Sequence, residues 1–492
     1  VLLEGSSSAI WRALTSGGSP ILNGMDRHDV DTFLGELAVA DLIVPRQSRA
    51  STRTQFPETQ SPGADDGKHS AEFEREMMQW AWDHGFLFSA HLELTYRCNE
   101  TCVHCYNPGA ALSPGERPTR QRDELGTGEW KQIMGQLAEI GVFRLSLSGG
   151  EATLRKDFFE LVAHARQLGF AVVIFTNGLQ GTPDFVEKVA HLWPHSVEVS
   201  IYSANSELHD RITGVPGSFQ RSVDCLTQLN SAGVRTTMKT TLMSTTVGGY
   251  ADCRVLSESL GSSLVMDINI SPNLDGREAP LQLAPDFETL VALAASPASP
   301  TTVLMDTDAP PRWDKNSPVC GAGTKTLSIS PEGGITPCTA MPWNIGTARN
   351  GNLAKLWRNA IAHRGNMAPD RQASSRVKNG GSHDLSDWQS ITLGDFDECG
   401  THERCRWCQE ICPGDALVLS GNPLAAAAHR CKAASARMAA AQILASGHTT
   451  PSASVPVDRS PLTKPRSSFA AFPIFRLHPN QDGEEIIPGC KA

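Results

Sequence analysis

From His91 to Ile270 short β-type runs alternate with amphipathic helical runs, and no other feature limits the possible folds so strongly. "HLELTY", "FRLSLS", "AVVIFTN", "SVEVSIY", "VRTTMKTTL" and "SLVMDINI" read as strands, and segments such as "TGEWKQIMGQLAEIG" and "RKDFFELVAHARQLG" read as the helices between them. Strand–helix–strand succession requires parallel strands joined by crossover helices. Six such units predict an α/β fold built as an open, partial (β/α)6 barrel. In barrels of this type chemistry sits at the C-terminal ends of the strands.

The first predicted strand runs directly into "LTYRCNETCVHCYNPG", which holds Cys98, Cys102 and Cys105 with C-x3-C-x2-C spacing. A second crowd, "CGTHERCRWCQEIC", follows much later. The chain has 13 cysteines. Disulfides are disfavoured, because no basic segment followed by an apolar run marks the chain for export, and thiols of the cytosol stay reduced. Pairs two or three residues apart also suit one metal centre better than a structural crosslink. Three thiolates on one short loop can hold three corners of an iron–sulfur cube and leave the fourth iron open. A zinc ion is the alternative; it wants a nearby fourth ligand, and His104 has the spacing to be one.

Here the residues resemble the radical S-adenosylmethionine (radical SAM) superfamily. The three-cysteine loop follows a barrel strand, Tyr106 follows the third cysteine, and "LSLSGGEATL" ends the second strand. "FTNG" and "VSIYSANSELHDRITGVPGSF" also resemble the group, over residues 91–273. Ala152 stands where the family usually has proline. The resemblance implies a TIM-like partial barrel, a [4Fe–4S] cluster on Cys98, Cys102 and Cys105, and S-adenosylmethionine chelated to the open iron. Reductive cleavage would give a 5′-deoxyadenosyl radical, with a flavodoxin- or ferredoxin-type reductant supplying the electron. It also implies that Gly149, Gly150 and Glu151 meet the methionine amino group, since glycines admit close backbone approach. Ser200 and Lys239 are further candidates for the carboxylate or ribose, beside Tyr106, and Arg211 is equally open.

The later cysteines, Cys320, Cys338, Cys399, Cys405, Cys408, Cys412 and Cys431, lie in a Gly/Pro-rich stretch resembling the SPASM extension, which holds auxiliary [4Fe–4S] clusters. "LSISPEGGITPC" reads as a hairpin, and Gly333 to Cys338 fits the family's Gly-x4-Cys element. The dense group departs from the family spacing: it runs C-x5-C-x2-C-x3-C, so either His402 is a ligand or Cys405 substitutes from a shifted loop. One or two auxiliary clusters are expected. Cys225, Cys253 and Cys490 fall outside both patterns and read as ordinary thiols.

The expected division is a small N-terminal module (1–46), a linker (47–88), the barrel (89–295), the auxiliary-cluster region (296–445) and a Ser/Pro-rich disordered tail (446–492). The N-terminal "LLEGSSSAIWRALTSGG…DVDTFLGELAVADLIVP" resembles part of the winged-helix-like RiPP recognition element, which captures precursor-peptide leaders by strand addition. Its opening "VLLEG" reads as the end of a strand, so the natural chain is expected to extend upstream. A DNA-reading, redox-sensing regulator is the rival of a different class. Against it, this module sets Arg12, Arg27 and Arg46 against Glu4, Asp26, Asp29, Asp31, Glu36 and Asp41, and the whole chain carries a net charge of −10. No nucleic-acid or membrane partner is expected, and the location is cytoplasmic. The leading expectation is a peptide maturase that cross-links a ribosomally made precursor. A formylglycine-generating sulfatase maturase and a small-molecule modifier are the alternatives among enzymes.

Overall fold

The computed structural model describes residues 76–81, 83–107, 124–296, 314–349, 351–364, 373–378, 384–396, 398–408 and 411–445. The expected N-terminal module, the linker up to residue 75 and the expected tail lie outside the described residues. All six expected barrel strands form, and each pairs in parallel with the next: β1 (Ser89–Thr95), β2 (Arg144–Gly149), β3 (Ala171–Thr176), β4 (Ser196–Ser200), β5 (Thr236–Thr241) and β6 (Ser263–Asp267). Helices fill the connections: α1 (Thr127–Glu139), α2 (Phe158–Gln167), α3 (Pro183–Leu192), α4 (Ser206–Thr213), α5 (Ser218–Ser231) and α6 (Tyr250–Ser259), with α7 (Phe287–Ala295) after β6.

The sequence reading put "LSISPEGGITPC" in a unit separate from the barrel. The hairpin forms, with β7 (Thr326–Ile329) antiparallel to β8 (Gly334–Thr336), and β9 (Gly346–Thr347) follows it. β7 also lies parallel to β1, from Ser89↔Thr326 to Leu92↔Ile329. One nine-stranded sheet therefore runs in the order β6-β5-β4-β3-β2-β1-β7-β8-β9. The physical reason is the open barrel. Six strands do not close on themselves here, so β1 keeps an edge whose N–H and C=O groups need partners, and β7 supplies them. Beyond the hairpin come α8 (Leu353–Arg364), α9 (Ala373–Lys378), α10 (Leu385–Gln389), α11 (Pro413–Ser420) and α12 (Ala428–Ala445).

The two faces of the sheet differ. Leu92, Leu94, Leu145, Leu147, Val172, Ile174, Val197, Val199 and Met238 are fully buried in one core with residues of the helices, among them Trp130, Ile133 and Leu137 of α1. Their neighbours along each strand point the other way. In-register partners on that inner face include His91↔Ser146, Glu93↔Ser148, Phe175↔Glu198, Ser200↔Lys239 and Thr241↔Asp267. A parallel sheet covered on both faces would show near-continuous apolar strands. The alternation in "HLELT" and "RLSLS" is instead the mark of a sheet that packs one face and offers the other to polar ligands.

Candidate metal centre

The chain leaves β1 at Thr95 and arches over the C-terminal edge of the sheet. The amides of Thr101 and Val103 donate to the carbonyls of Thr213 (2.8 Å) and Ile212 (3.1 Å), which the end of α4 leaves without helical partners. From the other side Asn273, after β6, donates Nδ2 to the carbonyls of Cys105 (3.3 Å) and Asn107 (2.9 Å). Asn107 in turn donates to the carbonyl of Gly149 at 3.0 Å. One loop thus ties the end of β2 to the segment beyond β6, and it carries Cys98, Cys102 and Cys105 within electrostatic reach of one another.

Burial, with Glu151, Glu100 and Cys105 adding, pushes the Cys98 thiol up to about 12 against the backbone amide of Glu100. Burial also raises Cys102 well above the ordinary thiol value, with Glu100 and the other two thiols adding. Left alone, these thiols stay protonated. A cationic centre is what would turn them into thiolates, so the donor set fits a metal cluster. Among the described residues, no three His, Cys, Asp or Glu side chains converge on a point for a single metal ion. The His104 ring stands edge-on to Tyr202, centroids 4.4 Å apart, and its buried Nδ1 has no hydrogen-bond partner among the described residues.

Gly149 and Gly150 sit where no side chain fits. A Cβ on Gly149, whose φ is +125°, would lie 2.2 Å from the Thr95 carbonyl oxygen, and one on Gly150 would lie 2.4 Å from that of Arg97. The two glycines let the cysteine loop press on the end of β2. The Glu151 carboxylate is spent within the protein: it accepts from the Asn177 amide (2.7 Å), from Thr153 Oγ1 (2.6 Å) and from Thr176 Oγ1 (3.0 Å).

The remaining candidates separate. The Tyr202 hydroxyl engages Ser200 and lies near Cys102, Glu100 and Cys105, which places Ser200 beside the loop. Lys239, the in-register partner of Ser200 on β5, lies on the same inner face. Its Nζ is 3.2 Å from Glu198 Oε2 and 4.7 Å from the centroid of Phe175. Tyr106 stands between the two cysteine regions, with Cys105 on one side and Thr339 and Cys338 on the other. Arg211 is exposed on α4. Sequence reasoning missed Tyr202, Asn107 and Asn273; the first two lie inside motifs already noted, but the role of Asn273 has no local signal.

Among the later cysteines, Cys338 has Cys320 and Cys412 as electrostatic neighbours. α11 is pressed on the segment after Cys338, because a Cβ on Gly414 would lie 2.1 Å from the Ala340 carbonyl oxygen. Cys405 and Cys408 lie on or beside a 3-10 turn, Glu403–Trp407, where the Cys405 amide donates to the His402 carbonyl at 3.0 Å. That turn packs against α12, the helix of Cys431, and Arg437 of α12 donates to the Trp407 carbonyl at 3.4 Å. Cys399 packs against the main core, and Cys225 and Cys253 are buried. Cys490 lies outside the described residues.

Residues 92–255 match the family model of the Radical SAM superfamily. The AdoMet-dependent heme synthase of Methanosarcina barkeri (strain Fusaro / DSM 804) is 27% identical over 294 residues, covering 55% of this chain and 82% of its own. The PqqA peptide cyclase of Rhodopseudomonas palustris (strain ATCC BAA-98 / CGA009) is 27% identical over 290 residues, covering 56% of this chain and 75% of its own. The solved structure of native anSMEcpe with bound AdoMet and Cp18Cys peptide shares the fold at a TM-score of 0.52 and 12% identity, covering 73% of this chain and 98% of its own. No helix among the described residues is long and apolar enough to cross a membrane.

Proposed function

We propose a function for this chain, which is a radical SAM superfamily enzyme related to the SPASM-type peptide maturases: it modifies a ribosomally made precursor peptide, forming a crosslink after hydrogen abstraction. The observation that carries this reading is the cysteine loop set above a polar inner face on a sheet that does not close. Cys98, Cys102 and Cys105 would hold three corners of a [4Fe–4S] cluster, and carbonyls at the end of β2 would meet the amino group of S-adenosylmethionine. When bound, cluster and S-adenosylmethionine supply the one-electron cleavage that makes a hydrogen-abstracting radical.

The residues of the chain do the rest. Gly149 and Gly150 bring backbone close to the cofactor, Asn273 and Asn107 hold the loop, and Ser200 with Tyr202 borders it. Glu198, Lys239 and His91 give the inner face charge and hydrogen-bonding groups with which to orient a polar peptide. The distal cysteines would hold one or two auxiliary clusters that accept the second electron. The PqqA relative, a peptide cyclase by name, supports a peptide substrate. The Methanosarcina relative, matched over 82% of its length, favours a second reading with a small-molecule substrate.

The test is anaerobic. Cluster-loaded, reduced enzyme with S-adenosylmethionine is expected to release 5′-deoxyadenosine, and the Cys98→Ala protein to release none. With the precursor peptide, mass spectrometry should find a loss of about two hydrogens for a crosslink. An unmodified peptide alongside a converted small molecule would decide for the second reading. Absence of 5′-deoxyadenosine from fully loaded enzyme would end both.

A further inference from the structure

A buried charged cluster outside the first loop joins two cysteine-bearing segments to the stretch after β6. α11 starts at Cys412, whose Sγ accepts the backbone N–H of Asp415 at 3.5 Å. The Asp415 carboxylate is 1% exposed, yet one oxygen, Oδ2, accepts from His429 Nε2 at 2.8 Å, Arg430 Nε at 2.8 Å and Arg430 Nη2 at 2.7 Å. Both donors come from the first turn of α12, immediately before Cys431. Arg430 Nη2 also donates to Ser271 Oγ at 3.3 Å. Ser271 is two residues from Asn273, the residue that holds the carbonyls of Cys105 and Asn107.

This arrangement does more than a helix cap requires. A short polar side chain at the N-cap satisfies a helix start without any buried ion pair. A buried carboxylate–guanidinium pair is commonly matched in stability by apolar residues of the same volume, so its value lies in the geometry it fixes. Here the fixed geometry is that of sulfur atoms: the start of α11 with Cys412, the start of α12 with Cys431, and, through Ser271, the strut that holds the first loop.

We propose that Asp415 is a positioning residue for the distal cysteine group, fixing Cys412 and Cys431 against each other and, through Arg430 and Ser271, against the loop of Cys98, Cys102 and Cys105. This rests on the reading of Cys412 and Cys431 as cluster ligands. Asp415 itself ligates nothing. It holds one sulfur from the backbone side and the helix of the other from the side-chain side. The strut sets the separation of the two centres, and with it the ease of electron exchange between them.

The experiment compares full-length wild type, Asp415→Asn, Ser271→Ala and Cys412→Ala after anaerobic reconstitution. It reads iron and sulfide per chain, the reduction potential of each cluster, and the magnetic coupling between first and distal clusters. Cys412→Ala is expected to lose on the order of four irons per chain. Asp415→Asn should keep the first-loop signal but lose distal iron, or keep it with a shifted distal potential. Ser271→Ala should keep all iron and show altered coupling. If Cys412→Ala loses its iron while Asp415→Asn matches wild type in iron, potentials and coupling, the proposal fails and the cluster reading stands. If Cys412→Ala keeps wild-type iron, the cluster reading fails and this proposal with it. Should Asp415→Asn not fold, Ser271→Ala decides: wild-type coupling overturns the strut.

Discussion

Glu93 lies on the inner face of β1, 3% exposed, with the Tyr96 hydroxyl donating to Oε2 at 3.1 Å and no partner for Oε1 among the described residues. Burial, joined by nearby Glu332 and opposed by the Tyr96 hydrogen bond, pushes its carboxyl up to about 8. The folded state therefore holds this proton more tightly than the unfolded chain does. Its contribution to stability is complete below the ordinary carboxylate range and is lost as pH rises through about 8. Glu93→Gln keeps an acceptor for Tyr96 and removes the titration. Thermal melts should show the variant gaining on wild type steadily from about pH 5 to about pH 9; a constant difference would refute the assignment. Other individual residues were only half legible beforehand. The cysteine spacing announced itself, whereas nothing local to Lys239 told that its Nζ would pair with Glu198 over the Phe175 ring.

Among the elements, α4 has a role that its sequence does not advertise. Its start is capped by Asn205, whose side chain accepts the Leu208 amide at 2.9 Å, and its final carbonyls anchor the cysteine loop. Asn205→Ala should cost about 1 kcal/mol, as lost N-caps do. The loosening should travel to the far end of the helix: hydrogen exchange at the Thr101 and Val103 amides is expected to quicken along with that of α4. Unchanged exchange at those two amides would show that the loop does not depend on the helix. The strands were legible because alternation is a local property of five or six residues. The ends of helices as anchors were not, because an orphan carbonyl finds its partner only when distant segments meet.

For the whole molecule, the consequential feature is the junction of β7 with β1. Leu327, Ile329 and Ile335 are fully buried in the same core as Leu92 and Leu94. A chain ending at residue 313 would expose an apolar parallel edge and part of its core. It is expected to aggregate or to lose cooperative unfolding, checked by size-exclusion chromatography and thermal denaturation; a monomeric, cooperatively melting fragment would show that the barrel stands alone. The six parallel strands, and the loop of Cys98, Cys102 and Cys105 at the end of the first, follow from the amino-acid order alone. Each of these is written in periodicity or spacing over a few residues. The pairing of the later hairpin with β1, the closure of the cysteine loop by Asn273, and the contacts from Asp415 through Arg430 to Ser271 emerge only in three dimensions. Those depend on open edges and buried polar groups finding partners more than a hundred residues away, and no local pattern records which partner that will be.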